Sequence, residues 1–487
     1  MPTPQSKSGG SARRAGRPSE VVVAGAGPAG VLTAVLLVRL GLEVLLLTGG
    51  RRRPRIEGLS QRVVETLKAQ GLDRAAAAVG RPLPREVLWN GEAGARNLEY
   101  VTARAPFDAA LLRDAEAAGV RVREARQLAV GPGPEGAVVD YLCAEGRAVR
   151  EEARLFVEAR GRAAPGAKAR QTRGPETTAI TRRIVGAERR AGTALESFRD
   201  GWAWYVADGE AAFLQIFVDS GEGLPKRAAL PAFFDRAAAR LPMIGGAIGA
   251  GRAQGAVTTR NATPYLARDL MAPGRLRVGD AALAIDPLSG HGVFQALGSA
   301  LAAAAVANTL LRRPERGALA RRFYLERAET GFLRACRTGR DFYALETRWP
   351  ERPFWRARAA WPDRTPAHPP AGAEGVAVVP RPVVEAGLIA ERRVVVTPDQ
   401  PRGIWRVDEA PLAELLDLLR DREGRPLADC AAEIAGRLAV TESQLATALD
   451  WLRARRLLAP DARVRLLGAA RSPGEGTAPR PVVASPG

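Results

Sequence analysis

The chain has 487 residues, enough for two to four domains at roughly 100–200 residues each, and its 46% hydrophobic and 26% charged residues exclude global disorder and a fibrous repeat. Its 72 Lys+Arg against 53 Asp+Glu leave +19, which favours anionic partners; only Lys7, Lys68, Lys168 and Lys226 are lysine, so the excess reads as an arginine-rich composition before it reads as nucleic-acid binding. Three scattered cysteines (Cys143, Cys336, Cys430) and two histidines (His291, His368) exclude a disulfide framework, a Cys-x-x-Cys pair and a histidine-rich metal site, so no metal is expected.

Residues 1–19 are polar and basic with no apolar stretch, which predicts a disordered arm and not a secretory signal. The apolar run Val21–Ala24 predicts a buried strand, Val31–Leu40 a helix and Val44–Leu47 a second, parallel strand. Between strand and helix, Gly25-Ala26-Gly27-Pro28-Ala29-Gly30 fits G-x-G-x-x-G. The first glycine makes the tight turn, the second lets backbone approach a diphosphate, and the third lets helix pack on strand, with the helix N-terminus facing the anion. One position departs from the pattern: Thr48 stands where an acid would hold the ribose hydroxyls. Ribose contact then falls to the Thr48 hydroxyl or a nearby arginine, and the turn alone does not distinguish a plain ribose from a 2′-phosphate.

After a basic loop, RRRPR, the pattern predicts a helix over Ser60–Ala69 and another over Ala109–Ala118 that leads into a strand at Val120–Val122. Alternating aromatic and β-branched residues over Gly201–Asp219 predict two antiparallel strands turning near Asp208-Gly209. Trp202 and Trp204 on the first strand are candidate substrate-pocket residues. From about 271 to 312 the chain returns to strand, glycine-punctuated turn and Ala-rich helix, and no clean ~20-residue apolar span is evident. Prolines among arginines and tryptophans mark 336–374 as a linker or surface-hugging loop. A module over 375–470 follows, with a strand at Arg392–Thr397, helices at Leu412–Arg420, Leu427–Leu438 and Thr441–Leu458 (Thr441 as N-cap, Glu442 in the first turn), and an extended end at Arg463–Leu467. Residues 471–487 read as a disordered tail.

A second motif, Gly279-Asp280-Ala281-Ala282 followed by Asp286-Pro287-Leu288-Ser289-Gly290-His291-Gly292, precedes the long helix. A third piece, Arg104-Ala105-Pro106-Phe107-Asp108, lies between the two. Asp280 alone would suit a turn cap. Together with the glycine turn, and in this order, the three pieces resemble the FAD-dependent monooxygenases, the branch that includes flavin-dependent halogenases and geranylgeranyl-reductase-like enzymes. Residues 392–465, a strand and then three helices, separately resemble a winged-helix module and, more loosely, the peptide-recognition elements of enzymes that modify ribosomal peptides. The three-piece resemblance, over about 20–330, implies an α/β fold: a Rossmann-like FAD-binding domain (about 20–55, 100–165 and 270–335) with an inserted mixed β-sheet substrate domain (about 56–99 and 166–269), followed here by that C-terminal, mostly helical, winged-helix-like module. It implies FAD held noncovalently by Gly25, Gly27, Pro28, Ala29, Gly30, Thr48, Arg104, Gly279, Asp280, Pro287, Gly290, His291 and Gly292. Asp280 would bond a hydroxyl of the linker between diphosphate and ring, and Pro287–Gly292 would set backbone N–H groups against the ring edge. His291 and Gly290 are the catalytic candidates; His291 would tune the flavin or donate a proton, with a structural hydrogen bond as an equal alternative.

The resemblance also frames the reaction. In the family, a flavin C4a-hydroperoxide hydroxylates an electron-rich ring held in a dry pocket, whereas halogenases pass hypohalous acid to a lysine just before a tryptophan. Here the segment from Gly80 to Trp89 has no lysine, and the guanidinium of Arg81 or Arg85 is a poor amine nucleophile. Trp202-Ala203-Trp204-Tyr205-Val206-Ala207 is similar to a halogenase W-x-W-x-I-P motif but lacks its proline. A hydroxylase is therefore expected, with a halogenase or small-molecule hydroxylase as alternative. Phe156–Arg162 lacks the Asp-Gly pair that the family associates with direct nicotinamide use, so a separate flavin reductase or free reduced flavin is the expected electron source, with molecular oxygen as co-substrate. The C-terminal module and the positive charge point to a large, anionic peptide or protein substrate, and the whole chain resembles peptidyl tryptophan hydroxylases that serve quinohemoprotein maturation. A cytoplasmic protein without membrane contact is expected. A redox-sensing DNA-binding regulator is the reading of another class, and the Asp280 motif argues against it.

Overall fold

Val21–Ala24 are wholly buried, as a central strand covered on both faces requires. This strand pairs in parallel with Val44–Thr48 on one side and Leu155–Glu158 on the other, with Val21 opposite both Val44 and Leu155. The computed structural model describes residues 19–49, 56–94, 97–165, 171–186, 191–208, 212–221, 223–372 and 374–467. The arm up to 18, the RRRPR loop, Gly209 of the expected hairpin turn and the tail 471–487 lie outside the described residues. The chain divides into two units, Met1–Pro314 with Ala328–Arg364, and Glu315–Arg327 with Thr365–Gly487.

In the first unit, a six-stranded sheet runs Met271–Ala272, Arg275–Arg277, Leu155–Glu158, Val21–Ala24, Val44–Thr48, Arg121–Glu124. Val22, Leu45 and Phe156 pack against Val139 and Tyr141 of a three-stranded antiparallel sheet. The helices Pro28–Arg39 and Gly292–Arg312 lie against one another. The first of these starts at Pro28, three residues before the expected Val31, because proline at N1 lacks only an N–H that a helix start leaves unpaired. The same allowance for Pro106 lets the helix expected from Ala109 begin at Arg104. Gly292–Arg312 is long and apolar enough to cross a membrane, contrary to the reading of no such span, but its window is 67% buried within the fold, as befits a core helix.

The second sheet is mixed and orders its main strands as Arg252–Asn261, Thr177–Val185, Ala212–Asp219, Gly201–Ala207, Gly192–Phe198, Pro82–Trp89, Asn97–Ala103, Ile56–Leu59. Gly201–Ala207 and Ala212–Asp219 are antiparallel, as their alternation requires. One face packs Phe198, Tyr205 and Ile216 on Phe234 and Ile244; the other carries Trp202, Trp204 and Phe217.

The stretch 336–374 is not a linker. Its first residues end the helix Gly317–Ala344, and a further helix, Pro353–Ala360, buries Phe354, Trp355 and Arg358. Trp355 packs edge-on to Trp89 and Tyr343 at 5.3 and 5.9 Å between ring centroids. Arg358 bonds Asp219 and Thr177 at 2.7 and 2.6 Å while its guanidinium covers the Phe354 ring. Composition misleads here because proline starts a helix as readily as it breaks a chain, and Trp355 is a core residue with the half-buried Trp349 packed against its cluster.

In the second unit, strands Ala377–Glu385, Leu388–Thr397 and Gln400–Ile404 form an antiparallel sheet, of which only part of the middle strand was expected. Helices Leu412–Arg420, Leu427–Leu438 and Glu442–Ala454 share an apolar core that includes Leu415, Ile434 and Leu449. Thr441 caps the third as read, in a reciprocal capping box with Gln444. Single antiparallel bridges, Pro426 to Arg463 and Leu458 to Leu466, close the end of the unit.

Trp355→Ala is expected to cost about 3–5 kcal/mol in denaturant unfolding, as for a large aromatic lost from a packed core. A change near zero would show the segment to be peripheral.

Candidate active site

A cavity of about 1270 Å³ opens between the glycine turn and the Trp202–Trp204 face of the mixed sheet. It exceeds the roughly 300–1,000 Å³ typical of small-ligand sites, leaving room for a dinucleotide and a further ring. Its chemistry starts with missing side chains. Gly25 has φ +112°, and a Cβ there would stand 2.4 Å from the Ala159 carbonyl oxygen; at Gly30 it would stand 1.9 Å from the Gly25 oxygen. Strand, turn and helix therefore touch by backbone alone. At Gly27 the nearest atom to such a Cβ is Arg104 Nη2, 4.0 Å away, so that position keeps open space beside the main chain.

The helix Pro28–Arg39 has no side-chain cap at Gly27 and no acid in its first turn. Its positive dipole end thus meets the cavity at Gly27, Pro28 and Ala29, with free N–H groups from the first turn other than that of Pro28, which has none, an arrangement that suits phosphate oxygens. The helix Gly292–Arg312 likewise starts without a side-chain cap or an acid, and Gly290 (φ +63°) and Gly292 border the same space. The preceding turn, Pro287–Ser289, is capped instead by Asp286, whose carboxylate accepts the Leu288 N–H at 2.9 Å. Two helix starts on one cavity favour a ligand with negative charge at two places.

Arg104 lies between Glu57 and Asp108 at 2.9 and 2.8 Å. Burial alone would lower its pKa, but the two carboxylates outweigh that and raise it. Asp280 lies 3.6 Å from Arg162, and its main-chain oxygen accepts the Tyr265 hydroxyl, a group pushed up to about 12, chiefly by burial. Gly279, at φ +56°, donates its N–H to Ser299 and passes so close to Ala29 that a Cβ would stand 2.7 Å from that methyl group. The Asp280 turn is thereby seated on the glycine-turn helix.

Of the expected site residues, Gly25, Gly27, Pro28, Ala29, Thr48, Arg104, Asp280, Pro287, Gly290, Gly292, Trp202 and Trp204 line this one cavity. Gly30 and Gly279 do not line it; they make the close packing behind it. His291 departs from expectation. It is the exposed N-cap of its helix, its ring edge-on to Phe294 at 6.4 Å, and it is absent from the lining. The chain turns backbone, and not this imidazole, toward the cavity.

The tryptophans do more than fill the sheet face. Trp202 stacks on Phe217 at 3.8 Å and donates its indole N–H to Tyr343 at 3.0 Å, and the Tyr343 hydroxyl donates to Asp286 at 3.1 Å. Trp204 donates to Glu99 at 3.2 Å. Burial pushes the Asp286 carboxyl upward, opposed by the Leu288 N–H and the Arg358 charge, and pushes the Tyr343 phenol well above its ordinary value. Sequence reasoning missed Asp286, Tyr343 and Glu99. Asp286 stood inside a motif already singled out, whereas Tyr343 lay in the segment taken for a linker. Among the described residues, no group of three or more His, Cys, Asp or Glu is placed to hold a metal.

The family model described as FAD binding domain matches residues 18–212. The chain is 27% identical to the tryptophan 2-halogenase of Chondromyces crocatus over 379 residues, 70% of each protein. Among solved structures it is similar to QhpG, a peptidyl tryptophan dihydroxylase essential for tryptophylquinone cofactor biogenesis. That match has 38% identity and a TM-score of 0.76 over 91% of this chain and 100% of that one. CmlS, a flavin-dependent halogenase, shares the fold at 18% identity and a TM-score of 0.68 over 95% of this chain and 100% of its own.

The raised Asp286 pKa sets a sign for stability. The folded state binds this proton more tightly than the unfolded state, so stability falls as pH rises from the ordinary aspartate value of about 3.9 through the folded value. Asp286→Asn is expected to flatten that fall in denaturant melts taken upward from about pH 4. An unchanged slope would assign the titration to other groups.

Proposed function

The chain belongs to the FAD-dependent monooxygenases, and from that membership we propose that it hydroxylates a tryptophan within a peptide or protein substrate. The observation that carries the reading is the 38% identity with the peptidyl tryptophan dihydroxylase over 91% of this chain, a match too long to leave out the second unit.

The cavity fits FAD. We assign the diphosphate to the open backbone at Gly27 and the free N–H groups of the Pro28–Arg39 helix, which carry no competing acid. Thr48 offers a hydroxyl at the ribose, Asp280 takes a hydroxyl of the linker, and the backbone from Pro287 to Gly292 faces the ring. FAD supplies the activation of molecular oxygen. The chain's own part is to hold an electron-rich ring in place and keep it dry. The Trp202–Phe217 stack and Leu195 form a flat apolar wall, and the chain of hydrogen bonds from Trp202 through Tyr343 to Asp286 fixes the indole plane of that wall.

Among the described residues, the lining holds seven arginines and no lysine. This favours oxygen transfer over halogenation, since a guanidinium does not carry a hypohalous halogen as an amine does. It also favours an anionic substrate. The second unit, three helices closed by a bridged end, is read as a winged-helix-like docking surface for that partner. A cytoplasmic setting with a separate flavin reductase completes the reading.

Incubated with reduced flavin, oxygen and bromide, the protein is expected to add one or two oxygen atoms to tryptophan in its peptide partner, seen by fragmentation mass spectrometry. A brominated tryptophan, or modification of another residue only, would overturn the reading.

A further inference from the structure

Side chains alternate across a strand, so paired residues share a face. In the mixed sheet Leu195 lies opposite Trp204, Arg85 opposite Thr193, and Leu83 opposite Glu99. Arg85 and Glu99 are thus diagonal neighbours on adjacent strands, on the face that carries Trp204, and both line the cavity.

Neither side chain is satisfied as its surroundings demand. Arg85 Nε is buried with no acceptor, and the Thr193 hydroxyl directly opposite is buried without a partner as well. No acid among the described residues forms an ion pair with Arg85, whereas Arg104 and Arg160 on the same cavity are held by carboxylates. Glu99 is 7% exposed and accepts one hydrogen bond, to Oε2 from the Trp204 indole. Its Oε1 rests where a Cβ on Gly58 would stand 2.0 Å away, so Gly58 provides its seat. No cation among the described residues pairs with Glu99. An arginine with no carboxylate partner and a carboxylate with a single hydrogen bond, side by side on one cavity wall, suit a ligand that offers an oxygen and an N–H together.

We propose that Arg85 and Glu99 are the recognition point for the substrate residue, Glu99 accepting the indole N–H of the target tryptophan and Arg85 donating to a main-chain oxygen of that same residue. The assignment rests on the tryptophan reading above. Glu99 Oε2 already accepts the Trp204 indole N–H, so Oε1, which accepts no hydrogen bond from the described residues, is the atom assigned to the substrate indole. A phenylalanine would leave it unmet, so the pair would select indole over phenyl.

The test is calorimetric titration of the purified, FAD-loaded protein with N-acetyltryptophanamide, its 1-methylindole analogue and N-acetylphenylalaninamide. The wild-type protein is expected to prefer the N–H indole over both others by about tenfold, the scale of one hydrogen bond to a charged acceptor. Glu99→Gln should narrow the preference over the 1-methyl analogue at least threefold, while Arg85→Met should weaken both indoles about equally, each at unchanged flavin absorbance. If Glu99→Gln fails to fold, Arg85→Met alone decides, by weaker or unchanged binding. A wild-type preference for indole that both variants leave intact overturns the assignment of Arg85 and Glu99 but not the tryptophan reading. Phenylalanine binding as tightly as tryptophan, or no binding by any ligand, overturns the tryptophan reading and this proposal with it.

Discussion

The rest of the site depends on a contact between main chains. Gly25 approaches the Ala159 carbonyl, and Gly30 approaches the Gly25 oxygen, so closely that no side chain fits at either position. This draws the Pro28–Arg39 helix down onto the parallel sheet and fixes where its N-terminal N–H groups point. Gly279 repeats the device from the other side, against Ala29, and so sets the Asp280 turn beside the first glycine turn. These contacts leave bare backbone and open space next to Gly27, which is what an anion needs in order to meet unpaired donors at hydrogen-bond distance.

The opposite wall works by different physics. Trp202 and Phe217 stack, and Trp202 is tied through Tyr343 to the half-buried Asp286 carboxyl. The segment that supplies Tyr343, Phe354 and Trp355 packs against this sheet and helps keep the aromatic face rigid. One side of the cavity therefore attracts negative charge through backbone dipoles. The other offers a flat apolar surface interrupted at Arg85 and Glu99. A flavin and an aromatic substrate residue differ in just these requirements.

Much of this was legible in the sequence, and for a common reason: local rules governed it. The strand–glycine–helix pattern at 21–39 and the three helices of the second unit follow from short-range periodicity and backbone demands, whereas the Asp280 and Pro287–Gly292 turns gained their meaning from the resemblance to FAD-dependent monooxygenases. The misses come from long-range packing. Arg358, in a stretch of prolines and tryptophans that read as a linker or surface-hugging loop, is buried with its guanidinium over the Phe354 ring and bound to Asp219, far away in sequence. Glu99 gave no local signal, since only the register between Asn97–Ala103 and Pro82–Trp89 places it near Arg85. His291 misled in the opposite direction: it stands within the motif, yet its imidazole is exposed at the helix start and does not line the cavity.

The central claim, that open backbone at Gly27 is the seat of noncovalently bound FAD, meets its most direct test in the flavin absorbance of purified Gly27→Val. The valine side chain would enter the space that the glycine keeps clear, while Gly25 and Gly30 would still hold strand and helix together. The account predicts a folded protein, with an unchanged far-ultraviolet circular dichroism spectrum, that has lost its yellow colour and does not regain it when FAD is added. A variant equally folded that keeps the full flavin absorbance of the wild-type protein would contradict it.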